Sequence, residues 1–329
     1  MWSEWETLAL VTPQPLKTEV ELYDSASVRS QTALVVFNPT AGNRGRLLVN
    51  AVVGELRVLG WHVSLVETRQ TGHAKQIASS LNEGTYNEPD VLVVAGGDGT
   101  INEIINGLAV IGRLDLPVGL IPIGTVNLLA SEIKLPRNPQ LLAQIISDGH
   151  FRNVVLGQIC TMCKRHFFLM TAGVGYDARS VLRVSHRLKR LNGKLAYIVA
   201  GIEEYLLGRW PCYQVVIDGE EVVTRSILFA NGRCYAGRMI WAPAANIELP
   251  TLEVGFFARA GRFRLPLYAL ALTAGRLYQM RDVSIRRATT EVHLVGPPSE
   301  PIQADGDIVA YLPVSVSVAS VGARILVPS

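Results

Sequence analysis

The chain has 329 residues, of which 49% are hydrophobic and 18% are charged, and its formal net charge is +3. This length favours two domains with sizeable hydrophobic cores, and so small a net charge argues against a nucleic-acid-binding protein. The chain begins without a recognisable signal peptide, and its apolar runs are too short to span a membrane, so we expect a soluble, cytoplasmic protein.

The first half of the sequence alternates apolar strands with amphipathic helices. Residues 1–31 show no clear period and are predicted to form an N-terminal extension. The predicted order from residue 32 is strand 33–37, helix 47–59, strand 61–67, helix 73–81, strand 91–95 with the helix that follows it, strand 117–121 and helix 128–133. This order predicts an α/β domain over residues 32–150, with a doubly wound parallel sheet that carries helices on both faces.

The second half is dominated by short segments rich in β-branched residues. Strands are predicted at 154–160, 166–171, 213–218, 222–231, 252–258, 283–287, 292–295 and 314–327, and helices at 177–191 and 194–207. Short strands with turn signals between them are typical of an antiparallel β-sandwich. We therefore predict an all-β domain with a few helices over residues 151–329, whose last strands return toward the first domain.

A glycine-rich turn interrupts the third strand–helix unit, in the stretch VLVVAGGDGTINEIINGL (residues 91–108). Gly96, Gly97 and Gly99 would let backbone N–H groups approach an anion, and the start of a helix carries partial positive charge. Asp98 would repel a phosphate unless a divalent cation or a proton lies between them. The pattern therefore predicts a site for a nucleotide with Mg²⁺, and the competing interpretation is a tight turn with a solvated Asp98.

Other loops fall at the carboxyl ends of the predicted parallel strands. They are NPTAG (38–42), TGHA (71–74) and PIGTVN (122–127). Ligands of open α/β sheets bind at this edge, so all these loops are expected to line one crevice with the glycine turn.

The segment GGDGTINEIINGL (96–108) resembles the nucleotide-binding signature of the diacylglycerol kinase catalytic domain, in a bacterial lipid kinase family related to sphingosine kinases. The three loops just described are similar to further motifs of that family, in the same order. In the second half, AGVGYDA (172–178) resembles its GxGxDA segment, and QADGD (303–307) stands where relatives carry a DGE motif. The resemblance spans roughly residue 32 to the C-terminus.

This resemblance implies an ATP-dependent kinase that phosphorylates the hydroxyl of diacylglycerol or a similar lipid alcohol, in phospholipid biosynthesis. It implies Mg²⁺ held by Asp98 and Asp307, and a catalytic group of Asp305, Asp98 and Asp307. Asp305 is the expected base, with an exchange of duties with Asp98 left open. The residues expected to bind ATP are Asn38, Pro39, Gly42, Thr71, Gly96, Gly97, Gly99, Thr100, Glu103, Gly124, Thr125 and Asn127.

The sequence departs from the family pattern at several positions. Leu128 follows the Asn of GTxN where relatives usually have Asp, and Asp307 replaces the Glu of DGE. Leu249 and Pro250 replace the Asp and Gly of a stretch that supplies a structural Mg²⁺ site in relatives, so that site is expected to be absent or rebuilt. Two alternatives stay open: an enzyme similar to NAD kinase, which shares a GGDG loop, and a nucleotide-binding regulator without catalysis. An Asp-Gly pair such as 305–306 is also a common hairpin turn.

Basic stretches in the second half suggest contact with a membrane. Residues 179–194 carry arginines and lysines without an acidic residue, and Arg259, Arg262 and Arg264 precede an apolar segment that Arg276 and Arg281 follow. Such segments suit an anionic membrane surface, although an ordinary solvated helix face has the same composition. We expect peripheral association with the inner face of the membrane, and a homodimer stays open.

Overall fold

A computed structural model describes residues 31–84, 88–183, 193–208, 211–261 and 263–329. The predicted extension over residues 1–31 lies outside this described part apart from its last residue. The elements of the first half are β1 (Thr32–Phe37), α1 (Gly42–Val58), β2 (His62–Glu67), α2 (His73–Ser79), β3 (Val91–Gly96), α3 (Asp98–Val110), β4 (Val118–Pro122), α4 (Leu128–Glu132) and α5 (Pro139–Asp148).

Strands dominate the second half of the chain. Its elements are β5 (Phe151–Cys160), β6 (Arg165–Phe168), β7 (Thr171–Val174), α6 (Tyr176–Arg183), α7 (Gly193–Leu207), β8 (Tyr213–Ile217), β9 (Glu220–Thr224), β10 (Ser226–Ala230), β11 (Cys234–Tyr235), β12 (Met239–Ile240), β13 (Leu252–Phe257), α8 (Arg264–Thr273), β14 (Val283–Ala288), β15 (Val292–Val295), β16 (Pro301–Ala304), β17 (Asp307–Tyr311) and β18 (Val314–Leu326). Among the described residues, no helix is both long and apolar enough to span a membrane.

Strand β1 shows why the first sheet is buried on both faces. Successive side chains of a strand point to opposite faces. Leu34 and Val36 lie in a core with residues of α2 and α3, whereas Val35 and Phe37 lie in a second core with residues of α1 and α5. Strands β2, β1, β3 and β4 pair in parallel in that order. The predicted doubly wound parallel sheet is confirmed.

The larger sheet continues beyond these parallel strands through β18. Ile325 of β18 pairs in parallel with Val118 of β4. The same strand pairs antiparallel with β5 and β15, and the sheet ends with β8 and β9. The C-terminal strand therefore joins the parallel part of the sheet to its antiparallel part.

A second sheet of six strands packs on the antiparallel part of the first. Its order is β14-β13-β10-β7-β16-β17, and all its pairs are antiparallel. The core between the sheets includes Phe168 and Tyr213 from the larger sheet and Phe229 and Phe256 from the smaller one. The predicted antiparallel β-sandwich is confirmed.

Several predicted boundaries were wrong. Helix α1 begins at Gly42 and not at residue 47. The predicted strand 166–171 is two strands, because the N–H groups of Leu169 and Met170 donate to the carboxylate of Asp305 and leave the strand ladder. Helix α5 was not predicted, although Asn138 as N-cap and Pro139 as first residue are recognisable start signals.

Candidate active site

The candidate site is built around the turn between β3 and α3. Strand β3 ends at Gly96 and α3 begins at Asp98, with Gly97 as the N-cap. A Cβ atom on Gly96 would lie 2.5 Å from the Cβ of Thr100, so this position accepts only glycine. The first N–H groups of a helix have no partner within the helix, and they make the turn suitable for an anion. We refer to residues 96–99 as the glycine turn.

The loop after β4 lies backbone against backbone on the glycine turn. A Cβ on Gly124 would lie 2.4 Å from the Cα of Gly97, so a side chain at Gly124 would force the two loops apart. Thr125 is exposed next to this contact. Asn127 is buried with a φ of 56°, and its Nδ2 donates to the carbonyl of Gly124 at 2.7 Å. Its Oδ1 has no hydrogen-bond partner among the described residues, so it can accept from a bound group.

Asn38, at the end of β1, ties the first loop to the glycine turn. Its Nδ2 donates to Oγ1 of Thr100 at 3.0 Å, and its Oδ1 accepts from the N–H and hydroxyl of Thr40 at 3.1 and 2.8 Å. Pro39 lies in the short 3-10 turn that follows, and Gly42 begins α1. The predicted loop residues are therefore brought to the same edge of the sheet as the glycine turn.

Glu103 holds the TGHA loop in place. One carboxylate oxygen accepts from the N–H of Gly72 at 2.7 Å, and the other accepts from the N–H of Ala74 at 3.1 Å. Gly72 adopts a φ of 84°, which favours glycine, and Thr71 is exposed at the tip of the loop. The observed contacts give Glu103 a positioning role toward Thr71.

Asp305 enters the site from the second half of the chain, on the turn between β16 and β17. The residue is buried, with a φ of 49°. Its carboxylate accepts four hydrogen bonds: from the N–H groups of Leu169, Met170 and Thr171 and from Nδ2 of Asn102, at distances of 2.7 to 3.0 Å. Burial raises the pKa of Asp305, whereas these donors lower it. The chain thus supplies a donor for each of the four lone-pair positions of this carboxylate.

Asp98 and Asp307 lie close to the same turn. Oδ1 of Asp98 accepts from the N–H of Leu128 at 2.7 Å, which satisfies a donor at the start of α4. Burial, and then the negative charge of Asp305, raise the pKa of Asp98 to about 6. A Cβ on Gly99 would lie 2.9 Å from Oδ2 of Asp307, so the Asp307 carboxylate lies directly on the glycine turn. The three predicted aspartates are brought together.

A buried polar network that the sequence did not reveal supports Asp305. Nδ2 of Asn102 also donates to the carbonyl of Phe167 at 2.9 Å, and its Oδ1 accepts from Nδ2 of Asn106 at 3.0 Å. Nε2 of His166 lies 3.0 Å from that same oxygen. Because an amide oxygen can only accept a hydrogen bond, His166 must donate to it through Nε2. Burial, and then the nearby Lys75, lower the pKa of His166 to about 4. The sequence signal for this network is the pair Asn102 and Asn106, which lie four residues apart on the buried face of α3.

Gln303 links the turn at residues 305–307 to the AGVGYDA segment. Its Oε1 accepts from the N–H of Gly306 at 2.9 Å, and its Nε2 donates to Oδ2 of Asp177 at 2.6 Å. The hydroxyl of Tyr235 donates to the other oxygen of Asp177. Asp177 lies in the segment that resembles the family's GxGxDA motif. It contacts Gln303, and Gln303 in turn contacts the turn, so Asp177 positions the turn indirectly.

One predicted membrane-facing stretch has another role. Arg179 pairs with the buried Glu300, and Arg183 pairs with the buried Glu204 at 2.5 Å, so these arginines stabilise the interior of the second half. Residues 184–192 of the same stretch lie outside the described part of the chain, as does Arg262. Acidic partners distant in sequence neutralise both arginines, so the membrane contact expected of this stretch stays a prediction.

The residues at the glycine turn fit a nucleotide with a divalent cation. The close contacts of Gly96 and Gly124 require glycine on both sides of the start of α3, and Oδ1 of Asn127 is an unused buried acceptor among the described residues. Within the described residues, no group of three His, Cys, Asp or Glu side chains forms a metal site made of protein alone. Mg²⁺ commonly binds one or two carboxylates together with phosphate oxygens, and Asp98 and Asp307 fit that pattern.

Comparisons with known proteins agree with this geometry. The family model for the diacylglycerol kinase catalytic domain matches residues 32–159, and the model for the YegS C-terminal NAD kinase beta sandwich-like domain matches residues 170–327. A diacylglycerol kinase of Mycobacterium tuberculosis is 31% identical over 257 residues, covering 77% of this chain and 80% of the relative. A diacylglycerol kinase of Staphylococcus saprophyticus is 32% identical over 203 residues, covering 61% of this chain and 63% of the relative.

Solved structures share the fold. A diacylglycerol kinase structure from Bacillus anthracis has a TM-score of 0.65 at 17% identity. The match covers 92% of this chain and 98% of the Bacillus chain. A second crystal structure from that organism has a TM-score of 0.73 at 18% identity, with coverages of 93% and 98%. The fold, the family models and the M. tuberculosis relative agree, and the chain therefore belongs to the bacterial diacylglycerol kinase family of lipid kinases.

Proposed function

We propose that this kinase transfers the γ-phosphate of ATP to the hydroxyl of diacylglycerol or a similar lipid alcohol. The observation that carries the proposal is the position of the turn at residues 305–307, which lies on the glycine turn. Asn102 of α3 donates to Asp305 at 2.8 Å, and the Asp307 carboxylate occupies the space beside Gly99. Phosphoryl transfer requires positioned reactants and neutralised phosphate charge, and this arrangement combines an anion-binding turn with carboxylates from both halves of the chain.

The nucleotide would be held by the loops at the carboxyl ends of β1 to β4. Gly96, Gly97, Gly99 and Thr100 would bind the phosphates through the start of α3. Asn38, Pro39 and Gly42 would line one side of the nucleotide, with Thr71 and the pair Gly124 and Thr125 on the other sides. Asn127 would contribute its unused Oδ1, and Glu103 would act by holding the Thr71 loop.

Asp98 and Asp307 would hold Mg²⁺, which neutralises phosphate charge when it is bound. Both carboxylates lie at the glycine turn, Asp98 at the first position of α3 and Asp307 against Gly99. The shorter side chain of Asp307, compared with the Glu of the family motif, is offset by this direct contact with the turn.

The hydrogen bonds distinguish the two candidate bases. From the sequence, Asp305 is the expected base, with Asp98 as the open alternative. Asp305 accepts four hydrogen bonds, which occupy all the lone-pair positions of its carboxylate. Asp98 accepts from the N–H of Leu128 at 2.7 Å, the N–H groups of Leu129 and Asn127 also lower its pKa, and burial still raises that pKa to about 6. We therefore favour the exchange of duties: Asp98 accepts the proton of the lipid hydroxyl directly or through water, and Asp305 supplies fixed negative charge beside it.

The second half of the chain would receive the lipid, and the enzyme would work as a peripheral protein at the inner face of the membrane. This proposal is supported by the family relatives named diacylglycerol kinase and by the arginine-rich surface of α8 considered below. The proposed chemistry uses residues of one chain, and a homodimer stays open.

NAD phosphorylation is the second candidate function. The matching model for residues 170–327 is described as NAD kinase beta sandwich-like, and NAD is also an alcohol acceptor. Purified full-length protein incubated with ATP, Mg²⁺ and either a panel of lipid alcohols or NAD separates the candidates. Phosphorylated lipid supports the proposal and phosphorylated NAD supports the second candidate. ATP binding without any product would indicate a nucleotide-binding regulator and contradict both.

A further inference from the structure

We propose that the outer side of α8 and the loop before it form a docking surface for an anionic lipid bilayer. This surface, called the α8 surface below, consists of Arg259, Phe263, Leu267 and Leu270. The inference rests on the proposed function, because a kinase with a lipid acceptor must meet its substrate at a bilayer. It adds which part of the chain makes that contact.

Helix α8 is apolar on two sides, and only one of them is covered by the fold. Tyr268 is buried, and Leu265 and Leu272 pack with it on the core of the six-stranded sheet. On the outer side, Phe263 is 90% exposed, Leu270 is 67% exposed and Leu267 is 47% exposed. Positions four and seven residues after Phe263 fall on the same side of a helix, so these side chains form one stripe. A surface helix normally carries polar residues there.

The loop before α8 forms an arginine-lined cavity beside this stripe. The cavity has a volume of about 660 Å³, and Arg225, Arg259, Phe263 and Arg264 line it. Arg264 is paired with Asp282 at 3.3 Å. In the part of the chain that the structure describes, the exposed Arg259 has no carboxylate within ion-pair distance. The cavity therefore presents positive charge next to an exposed aromatic ring.

The hydroxyl of Tyr268 fixes the loop on the helix. It lies 3.0 Å from the carbonyl of Arg259 and 2.9 Å from Oδ2 of Asp282. Because Tyr268 is anchored in the core, the loop that carries Arg259 is held against α8. The charge and the apolar stripe are thus presented together on a fixed scaffold.

The positive charge of residues 258–281 favours an anionic partner. Residues 258–281 contain five arginines and no lysine, aspartate or glutamate. An anionic bilayer offers negative headgroups for the arginines and an apolar interior for Phe263 and the leucines, in the same geometry that interfacial helices use. A docked protein would have to supply acidic and apolar groups in matching register, whereas a bilayer offers both without any register.

Vesicle sedimentation of the full-length protein tests the proposal. We compare vesicles of phosphatidylcholine alone with equimolar phosphatidylcholine and phosphatidylglycerol, for the wild type and for the double variant Arg259→Gln with Phe263→Ser. The matched control is Arg137→Gln with Leu141→Ser, which removes an exposed arginine and a leucine that is 54% exposed near the start of α5. Thermal unfolding of each variant verifies that it is folded.

The wild type is expected to bind the anionic vesicles and to bind phosphatidylcholine much more weakly. The test variant should lose at least about twentyfold in its partition coefficient, and the control should stay within about twofold. Equal binding by wild type and test variant, equal loss in the control, or no binding by the wild type would each overturn the proposal. Inorganic phosphate that displaces the protein more than sodium chloride of the same ionic strength would also overturn it, since the cavity would then be a site for a free anion.

A second assay separates this proposal from the proposed function. Phosphorylation of a short-chain diacylglycerol in detergent micelles does not require a bilayer, so the test variant should retain the wild-type rate. If the wild type phosphorylates no lipid there, the proposed function fails. The sedimentation result then still decides whether the α8 surface binds a bilayer.

Discussion

The side-chain amide of Asn102 donates a hydrogen bond of 2.8 Å to Oδ2 of Asp305, which lies 203 residues further along the chain. This bond joins α3, which begins at the glycine turn, to the turn between β16 and β17. Asn102 is buried, and its other amide proton is donated to the carbonyl of Phe167. Asn102 therefore helps to fix the position of Asp305 relative to Asp98, which begins the same helix.

Replacing Asn102 with Asp removes a donor to Asp305 and places a second carboxyl group beside it. We expect the free energy of unfolding at pH 7 to fall by about 2–4 kcal/mol, because a buried acceptor loses its donor and like charges meet. The loss should shrink as the pH is lowered, since protonation of one carboxyl relieves the repulsion. Urea unfolding measures both effects. Asn153→Asp, at an exposed position on β5, is the control, and an equal loss there would contradict the interpretation.

The pH dependence of stability provides a test of the Asp98 environment. Burial, together with the charge of Asp305, raises the pKa of Asp98 to about 6, so the folded protein holds this proton at pH values where the unfolded chain has released it. Stability associated with Asp98 is therefore lost as the pH rises from about 4 to about 6. Asp98→Asn keeps an acceptor for the Leu128 N–H without the charge. The variant should gain on the order of 2 kcal/mol over the wild type across this range. A difference that does not change with pH would contradict the predicted environment.

The contact between Gly97 and Gly124 predicts a contrast between two glycine substitutions. Gly124→Ala would place a Cβ 2.4 Å from the Cα of Gly97 and 2.6 Å from Oδ1 of Asn127. It should cost about 1–3 kcal/mol of stability and weaken ATP binding at least about tenfold. Gly54→Ala on α1 is the control, because its Cβ has no atom within 4 Å, and it should stabilise by about 0.5–1 kcal/mol. Calorimetric titration with ATP and thermal unfolding measure these changes, and unchanged ATP affinity in Gly124→Ala would be inconsistent with the proposed nucleotide site.

Glu103 is expected to affect nucleotide binding more than turnover. Glu103→Gln retains one acceptor oxygen and presents an amide donor to the N–H of Gly72 or Ala74, so one of the two hydrogen bonds is lost. The KM for ATP should rise about fivefold to tenfold with a smaller change in kcat, and stability should fall by about 1–2 kcal/mol. Steady-state kinetics with Glu83→Gln, an exposed position, as control check this split. A fall in kcat at constant KM would show that Glu103 takes part in the chemistry.

The sequence predicted the elements whose signal is local. The alternating faces of β1 and the glycine turn follow from spacing and residue type alone, and so does the Asp-Gly turn at residues 305–306. Helix α5 also carries local start signals, Asn138 as N-cap and Pro139 as first residue. The break at Leu169 and Met170 had no local signal, because it exists to direct backbone N–H groups at Asp305 from a distant turn.

For the candidate site, residue identity was more predictable than residue role. The aspartates were identified by their motifs, but the hydrogen bonds that saturate Asp305 come from residues that are far away in sequence. Arg179 and Arg183 illustrate the same limit, since the buried Glu204 and Glu300 that neutralise them cannot be paired with them from spacing. Long-range partners decide whether a charged residue is structural or exposed.

Turnover and nucleotide affinity of Asp98→Asn and Asp305→Asn, measured side by side, test the central claim that both carboxylates act at one kinase site. With ATP, Mg²⁺ and diacylglycerol in mixed micelles, each variant should lose at least about a hundredfold in kcat. ATP affinity, measured by calorimetry on folded protein, should change by less than about tenfold. Near-normal lipid phosphorylation by either variant would contradict the account.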